Sequence, residues 1–445
     1  MRFSELADKR VGVWGVAREA VSFARRLAER LPTARLAVVA TDRPAAPEAL
    51  APFLAAGAAA VHGEAILPAL RGCDVVVRSP GVSIYRPELE ALRAAGVHVG
   101  TATGLWLAEP HAAPVVGVTG TKGKSTTATL IAHLLRSTGL VVQLAGNVGR
   151  PALELLDVPV PDAYVVELSS FQVADLDTGP DVAVLTNLYR EHLDWHGSEE
   201  RYRADKLRLV DLERVGAVVF NGADPGLAQL AGRPGCSAFG TREGYSATEA
   251  GVFDGGALVL PAGRVPLRGT HNLLNLCAAL ETLRRLDVRP GDLEAALADF
   301  RGLPHRLEVV GERDGVLWVD DSISTTPESA LAAVGAFPER SVVLIGGGFD
   351  RGQDYADLGA ELARRDARVI GLPTTGARLV EAARSAGVAG DRATEAPGME
   401  AAVALARAAA ARGAVVLLSP AAPSFGAYPD FEARGRHFRA LVEAR

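Results

Sequence analysis

The strongest constraint in this chain is a recurring alternation of two segment types. Apolar runs of strand length fall at Val11–Trp14, Leu36–Val39, Asp74–Val77, Val115–Val118, Tyr164–Leu168, Val182–Leu185, Ala217–Phe220, Ser341–Ile345, Val369–Leu372 and Ala414–Leu418. Between many of them lie Ala/Leu/Arg-rich stretches of helical length, such as Ala20–Glu29, Thr126–Leu135 and Met399–Ala411. Strands that are apolar on both faces and separated by helices predict parallel sheets covered by helices, because a parallel crossover needs room for a helix. The chain has 445 residues, enough for two to four domains. Breaks in the alternation near His111–Pro114 and Phe300–Pro304 narrow this to three α/β domains, 1–110, 111–300 and 301–445. The stretch 251–268 has turn residues between short strands and predicts a small antiparallel insertion in the middle domain.

Charge and composition exclude several classes. Lys+Arg 47 against Asp+Glu 53 gives a formal net charge of −6, which speaks against a nucleic-acid partner held by bulk charge. Cys73, Cys236 and Cys277 are three widely spaced cysteines with no CxxC, so neither a disulfide framework nor a zinc knuckle is expected. The polar start MRFSELADKR and the lack of a long uncharged apolar run predict no signal peptide, no membrane span and a cytoplasmic location.

The sharpest local signal is Val115–Thr127, a buried strand, a glycine-rich turn and a helix start. Glycines let the backbone curl so that Gly120, Thr121, Lys122 and Gly123 turn N–H groups toward an anion, and the helix adds its positive end. Lys124 then lies against β/γ-phosphates, and Ser125 or the neighbouring Thr126 holds Mg²⁺. The spacing departs from GxxxxGK[ST], since Val118 stands at the first glycine position. Taken alone, the segment also reads as a helix start with a solvated lysine. At the first strand-to-helix turn only Gly15 falls in register with a dinucleotide fingerprint, so NAD is not supported, although a nucleotide phosphate could rest there. Ser79, in Arg78-Ser79-Pro80-Gly81, follows a strand at its carboxyl end, where open α/β sheets place ligands.

From the phosphate loop onward the chain resembles the Mur ligases, ATP-dependent amide-forming enzymes of peptidoglycan precursor synthesis. The resemblance runs in order through Ala145–Gly149 (AGNVG), Glu167–Gln172 (ELSSFQ), Thr186-Asn187, Glu191–Asp194, Tyr202–Lys206, His271–Asn275, Gly302–Arg306, Asp320–Ser322, and Leu418–Pro420 through Ser424 and Phe431. ELSSFQ and GLPHR resemble the branch that adds glutamate to UDP-N-acetylmuramoyl-L-alanine through an acyl phosphate. The resemblance implies an N-terminal Rossmann-like UDP-binding domain, a central P-loop ATPase-type domain and a C-terminal Rossmann-like domain for glutamate. It implies ATP and two Mg²⁺ ions, held by Ser125, Glu167, His192 and a carbamylated Lys206. Lys124, His192 and Lys206 are then the catalytic set, and Asn275, Arg306 and Asp321 join the phosphate loop around ATP. A bare lysine would repel Mg²⁺, whereas CO₂ addition makes it an anionic oxygen donor. From its amphipathic surroundings alone, Lys206 also reads as a solvated helix lysine, and Asn272 and Asn275 as helix caps.

Gly15, Ser79 and Asn147 are the implied contacts to the UDP-sugar, and Thr325, Arg351, Ser424 and Phe431 those to glutamate. One departure bears on that amino acid. Members adding D-glutamate read DSKATN, but this chain reads Asp321-Ser322-Ile323-Ser324-Thr325-Thr326, and isoleucine cannot pair with a carboxylate. With Val13-Trp14-Gly15 and Arg18-Glu19, this string resembles the variant branch that adds L-glutamate, whose product a separate epimerase then corrects. The expected protein is a monomer. The same reaction with D-glutamate, a folylpolyglutamate-type ligase and a nucleotide-sensing subunit stand as alternatives.

Overall fold

The computed structural model describes residues 1–444. The chain divides into two compact units, one made of Met1–Arg264 and Leu274–Ala298, the other of Val265–Leu273 and the chain from Asp299 onward. All ten expected apolar runs lie on strands.

The first unit holds two parallel sheets. One consists of β1 (Arg10–Trp14), β2 (Arg35–Thr41), β3 (Ala59–His62), β4 (Val75–Arg78) and β5 (His98–Gly100), in the order β3-β2-β1-β4-β5. The other consists of β6 (Val115–Thr119), β7 (Val142–Gly146), β8 (Ala163–Glu167), β9 (Val182–Leu185), β10 (Ala217–Asn221) and β11 (Cys236–Phe239), in the order β11-β10-β9-β6-β8-β7. The helix Arg18–Arg30 shows why the layers close. It buries Ala20, Phe23, Ala24 and Leu27, the i, i+3, i+4, i+7 face, and leaves its arginines outside. Each of the larger side chains contributes roughly 1.5–3 kcal/mol by leaving water. The same apolar core continues through Trp106 to Val166 and Leu185, so the two sheets share it.

A three-stranded antiparallel sheet follows, β12 (Tyr245–Thr248), β13 (Gly251–Asp254) and β14 (Ala257–Pro261). The insertion therefore begins before the expected 251, and its strands end at Pro261 rather than 268. Its first strand, YSAT, has no apolar alternation from which sequence could predict it.

The second unit is built on β15 (Glu308–Arg313), β16 (Val316–Asp320), β17 (Val342–Gly347), β18 (Arg368–Leu372), β19 (Ala393–Glu395) and β20 (Val415–Leu418). Their order is β15-β16-β20-β17-β18-β19, with only the edge strand β15 antiparallel. Both faces are covered. Along β16, Leu317 and Val319 enter one core while Val316 and Trp318 enter the other, the period of two expected of a doubly buried strand. The last strand inserts between β16 and β17, creating a switch point where the loops after these strands meet.

Candidate active site

At the carboxyl end of β6 the chain turns through Gly120–Gly123 into the helix Lys124–Ser137. Gly120 has φ +146° and Gly123 φ +82°, and a Cβ on either would run into the Thr186 hydroxyl or the Asn275 amide respectively. The loop is held from the segment after β9. Thr121 N–H donates to the Asn187 carbonyl at 3.0 Å, Lys122 N–H to Asn187 Oδ1 at 2.7 Å, and Thr186 Oγ1 to the Lys122 carbonyl at 2.6 Å. Lys124 Nζ donates to the Thr121 carbonyl at 2.8 Å, while Lys122 pairs with Glu191 at 2.6 Å. Asn275 lies inside the helix Thr270–Arg285, where its Oδ1 accepts from Thr127 at 3.3 Å, so it is no cap. Asn272 likewise sits within that helix and donates to the Arg268 carbonyl at 2.8 Å.

Glu167 ends β8, beside β6, and is only 1% exposed. Its Oε1 accepts from Asn147 Nδ2 at 3.1 Å, whereas its buried Oε2 has no hydrogen-bond partner among the described residues. Lys206, on the helix Glu199–Leu207, is 2% exposed and donates to the Gly120 carbonyl at 2.7 Å. It is therefore no solvated helix lysine. Burial first, then the positive charge of Lys124, holds its pKa well below the ordinary lysine value, against the pull of Glu191 and Glu167. His192, at φ +55°, sets its ring edge-on to Phe171 with centroids 4.9 Å apart. Its pKa is lowered, chiefly by burial, with Glu191 opposing and the cations Lys124 and Lys206 reinforcing. Gly120, Lys124, Asn147, His192 and Lys206 line one cleft of about 430 Å³.

The first sheet supplies the other wall. Its switch point lies between β1 and β4. There Gly15, at φ +97°, leaves no room for a side chain, since a Cβ would lie 2.6 Å from Ser79 Oγ. That hydroxyl is buried without a hydrogen-bond partner among the described residues. Several residues lining or backing the cleft have no role expected from sequence, although Arg18, Glu19, Arg78, Ser170 and Asp205 stand inside the quoted strings. Arg18 donates to the carbonyls of Gly146, Asn147 and Gly149 at 3.0–3.2 Å and so holds the AGNVG loop. Glu19 accepts from the Thr103 N–H and hydroxyl at 2.7 Å, and burial raises its pKa. Arg78 is wholly buried, bonded to both oxygens of Asp175 at 2.7 and 2.8 Å. Ser170 meets His196 Nε2 at 3.1 Å, and His196 Nδ1 meets Asp205 at 2.5 Å. Only a buried-strand signal next to a turn could have flagged Arg78; the rest depend on contacts distant in sequence.

In the second unit, Asp321 accepts from Leu307 N–H at 3.1 Å and from Ser419 Oγ at 2.7 Å, and burial pushes its pKa up to about 6. Arg306 is half-buried next to His305, whose Nδ1 lies 2.7 Å from Asp320. Thr325 precedes the helix Pro327–Gly335, which Thr326 caps. Arg351 is exposed on the loop after β17, its guanidinium 5.6 Å from the Phe425 ring centroid. Ser424 is buried on the loop after β20, and Phe431 opens the helix Phe431–Glu443.

Fold and cleft together define an α/β protein with a glycine-rich loop that a buried lysine meets and a buried glutamate at the end of the adjacent strand. Family models match in two places, the Mur ligase middle domain over residues 118–283 and the Mur ligase glutamate ligase domain over residues 305–422. The UDP-N-acetylmuramoyl-L-alanine--L-glutamate ligase of Xylella fastidiosa is 43% identical over 460 residues, covering 99% of this chain and 97% of that protein. Among solved structures, the UDP-N-acetylmuramate-alanine ligase of Thermotoga maritima shares the fold at TM-score 0.59 and 19% identity, covering 98% of this chain and 99% of its own. The MurF ligase of the same organism, solved in complex with ADP, gives TM-score 0.58 at 19% identity, covering 99% and 97%. The chain belongs to the Mur ligase family.

Proposed function

We propose that this chain joins L-glutamate to UDP-N-acetylmuramoyl-L-alanine at the expense of ATP, in peptidoglycan precursor synthesis. The observation that carries this is the cleft in which the phosphate-loop lysine, His192 and buried Lys206 meet the wall from the first sheet and Asn147, which in turn donates to Glu167. The L-glutamate ligase name of the Xylella relative supports the choice of substrates. A carboxylate is a poor electrophile, so it is first phosphorylated, and the amine of glutamate then displaces phosphate from the acyl phosphate. Charge builds on the transferring phosphoryl group, and Lys124 with the N–H groups at the start of the helix Lys124–Ser137 stabilises it, the Thr121 and Lys122 N–H groups being held by Asn187. Gly120, Thr121, Lys122, Gly123, Ser125 and Thr126 complete the cradle, with Asn275, Arg306 and Asp321 assigned to the rest of ATP.

Mg²⁺ fits this donor set. The unpartnered Glu167 Oε2 is a hard oxygen donor left over by the protein itself. Ser125, Glu167, His192 and Lys206 would hold two ions, which supply charge neutralisation at the phosphates. Lys206 suits carbamylation because it is buried between acids and a second lysine, where a neutral amine is favoured over an ammonium and an anionic carbamate would face Lys124.

The three modules 1–110, 111–300 and 301–445 are assigned to the UDP-sugar, ATP and glutamate. Gly15 and Ser79 contact the UDP moiety at the switch point, and Asn147 the muramoyl-alanine. Thr325, Arg351, Ser424 and Phe431 contact glutamate, with Arg351 on a carboxylate. No helix among the described residues is long and apolar enough to cross a membrane. A cytoplasmic monomer whose product passes to an epimerase completes the proposal. The deciding experiment is ligation with UDP-N-acetylmuramoyl-L-alanine, ATP and each glutamate enantiomer. Faster product formation with L-glutamate is expected, and a clear preference for D-glutamate would overturn the assignment.

A further inference from the structure

The helix Phe431–Glu443 carries Arg434, which is 2% exposed although it is charged. Its guanidinium lies among loops leaving three strands. Nε donates to Ser322 Oγ at 2.9 Å and one terminal nitrogen to the Ser322 carbonyl at 2.8 Å, on the loop after β16. The other terminal nitrogen donates to the Ala422 carbonyl at 3.1 Å, on the loop after β20. A Cβ on Gly348, just after β17, would lie 3.1 Å from that same nitrogen, so the third loop also packs on it. Ser322 Oγ in turn donates to the Phe431 carbonyl at 2.8 Å, closing the circuit to the arginine's own helix.

All of these acceptors are hydroxyl or carbonyl oxygens. A cation taken out of water with no acid among its acceptors is expensive, and burial lowers its pKa to about 10, with Tyr428 and Asp320 opposing. A well-packed apolar side chain would serve folding at least as well. What only arginine supplies is a rigid fork reaching two loops at once. Thr325, Arg351 and Ser424 each lie within three residues of a group this fork meets, and Phe431, three residues before Arg434 on its helix, accepts from Ser322 Oγ.

We propose that Arg434 is the positioning residue of the amino-acid pocket, holding the loops after β16, β17 and β20 in the register that binds L-glutamate. This rests on the assignment of those four residues to glutamate. It adds the claim that a buried residue, out of reach of the substrate, sets their arrangement.

The test is steady-state ligation by the full chain with each of the three substrates varied in turn. Three variants are compared with wild type: Arg434→Lys, Ser322→Ala and Arg351→Gln. Arg434→Lys keeps the charge and loses the fork. The expected result is a rise of about tenfold or more in KM for L-glutamate, with KM for ATP and for the UDP-sugar within about twofold of wild type. Ser322→Ala removes one acceptor of the fork and is expected to raise the same KM by less. A folded Arg434→Lys protein with unchanged glutamate KM overturns the inference, as does an equal rise for all three substrates. Should Arg434→Lys not fold, Ser322→Ala decides by the same criterion. Arg351→Gln separates the two levels. A normal glutamate KM in that variant, beside a raised one in Arg434→Lys, removes Arg351 from the pocket and leaves the role of Arg434 standing. The reverse pattern keeps the pocket and removes Arg434.

Discussion

Lys206 shows how much one side chain's surroundings decide. Its sequence neighbourhood is basic and amphipathic, yet it is buried against the Gly120 carbonyl with its pKa held well down. Lys206→Ala is expected to lose ligation and to regain part of it when millimolar formate or acetate is added, since a short carboxylate can take the carbamate's place. Failure of every short carboxylate to restore turnover would count against a carbamate at this position. Asp321 makes a different prediction. Its pKa rises from 3.8 to about 6, so the folded state binds that proton more tightly than the unfolded chain. The stabilisation is fully present below about pH 4 and is lost as pH rises through about 6, a change of about 2–3 kcal/mol. Urea unfolding of wild type and Asp321→Asn between pH 4 and 7 should show the variant's stability falling less with pH by that amount.

At the scale of elements, the cleft depends on strand ends being tied across the first unit. Arg78 closes β4 and binds Asp175, and it also donates to the carbonyls of Pro80, Val82 and Phe171 at 2.7–3.1 Å. It thereby joins the Ser79 loop to the ELSSFQ segment. Truncating one partner of a buried ion pair leaves the other uncompensated, so Arg78→Met is expected to cost about 3–5 kcal/mol in chemical denaturation. The double variant with Asp175→Leu should recover most of that loss. If the single variant is as stable as wild type, the pair does not hold the cleft wall. Glycines act at the same scale, since Gly120 and Gly123 provide the positive φ angles that turn the phosphate loop into its helix.

For the whole molecule, the net charge of −6 says little about its anionic ligands. In the proposed function, phosphates are held by local groups such as Lys124, which net charge does not report. A ligase that protects an acyl phosphate should release inorganic phosphate at speed only when ATP, the UDP-sugar and glutamate are all present. A phosphate-release assay leaving out each substrate in turn checks this, and Lys124→Ala should abolish the signal. Rapid release without glutamate would instead fit a nucleotide-hydrolysing sensor.

The sequence alone determined the α/β class, the ten main strands and the phosphate loop, because each is written in contiguous residues: apolar runs of strand length, helical spacing, and glycines beside a lysine. Short edge strands such as β3, β5 and β19 escaped it, since three or four residues carry too little period. The ordered motifs also marked Glu167, His192 and Lys206. Only the tertiary structure decided that Lys206 is buried, that Glu167 keeps an unpartnered oxygen, that Arg18 and Glu19 line the cleft, and that Arg78 ties the loop behind its wall. It also decided that Arg434, more than one hundred residues from Ser322, joins the loops after β16 and β20. The physical reason is that burial and hydrogen-bond partners are properties of packed neighbours, and these neighbours come together only when distant strand ends meet.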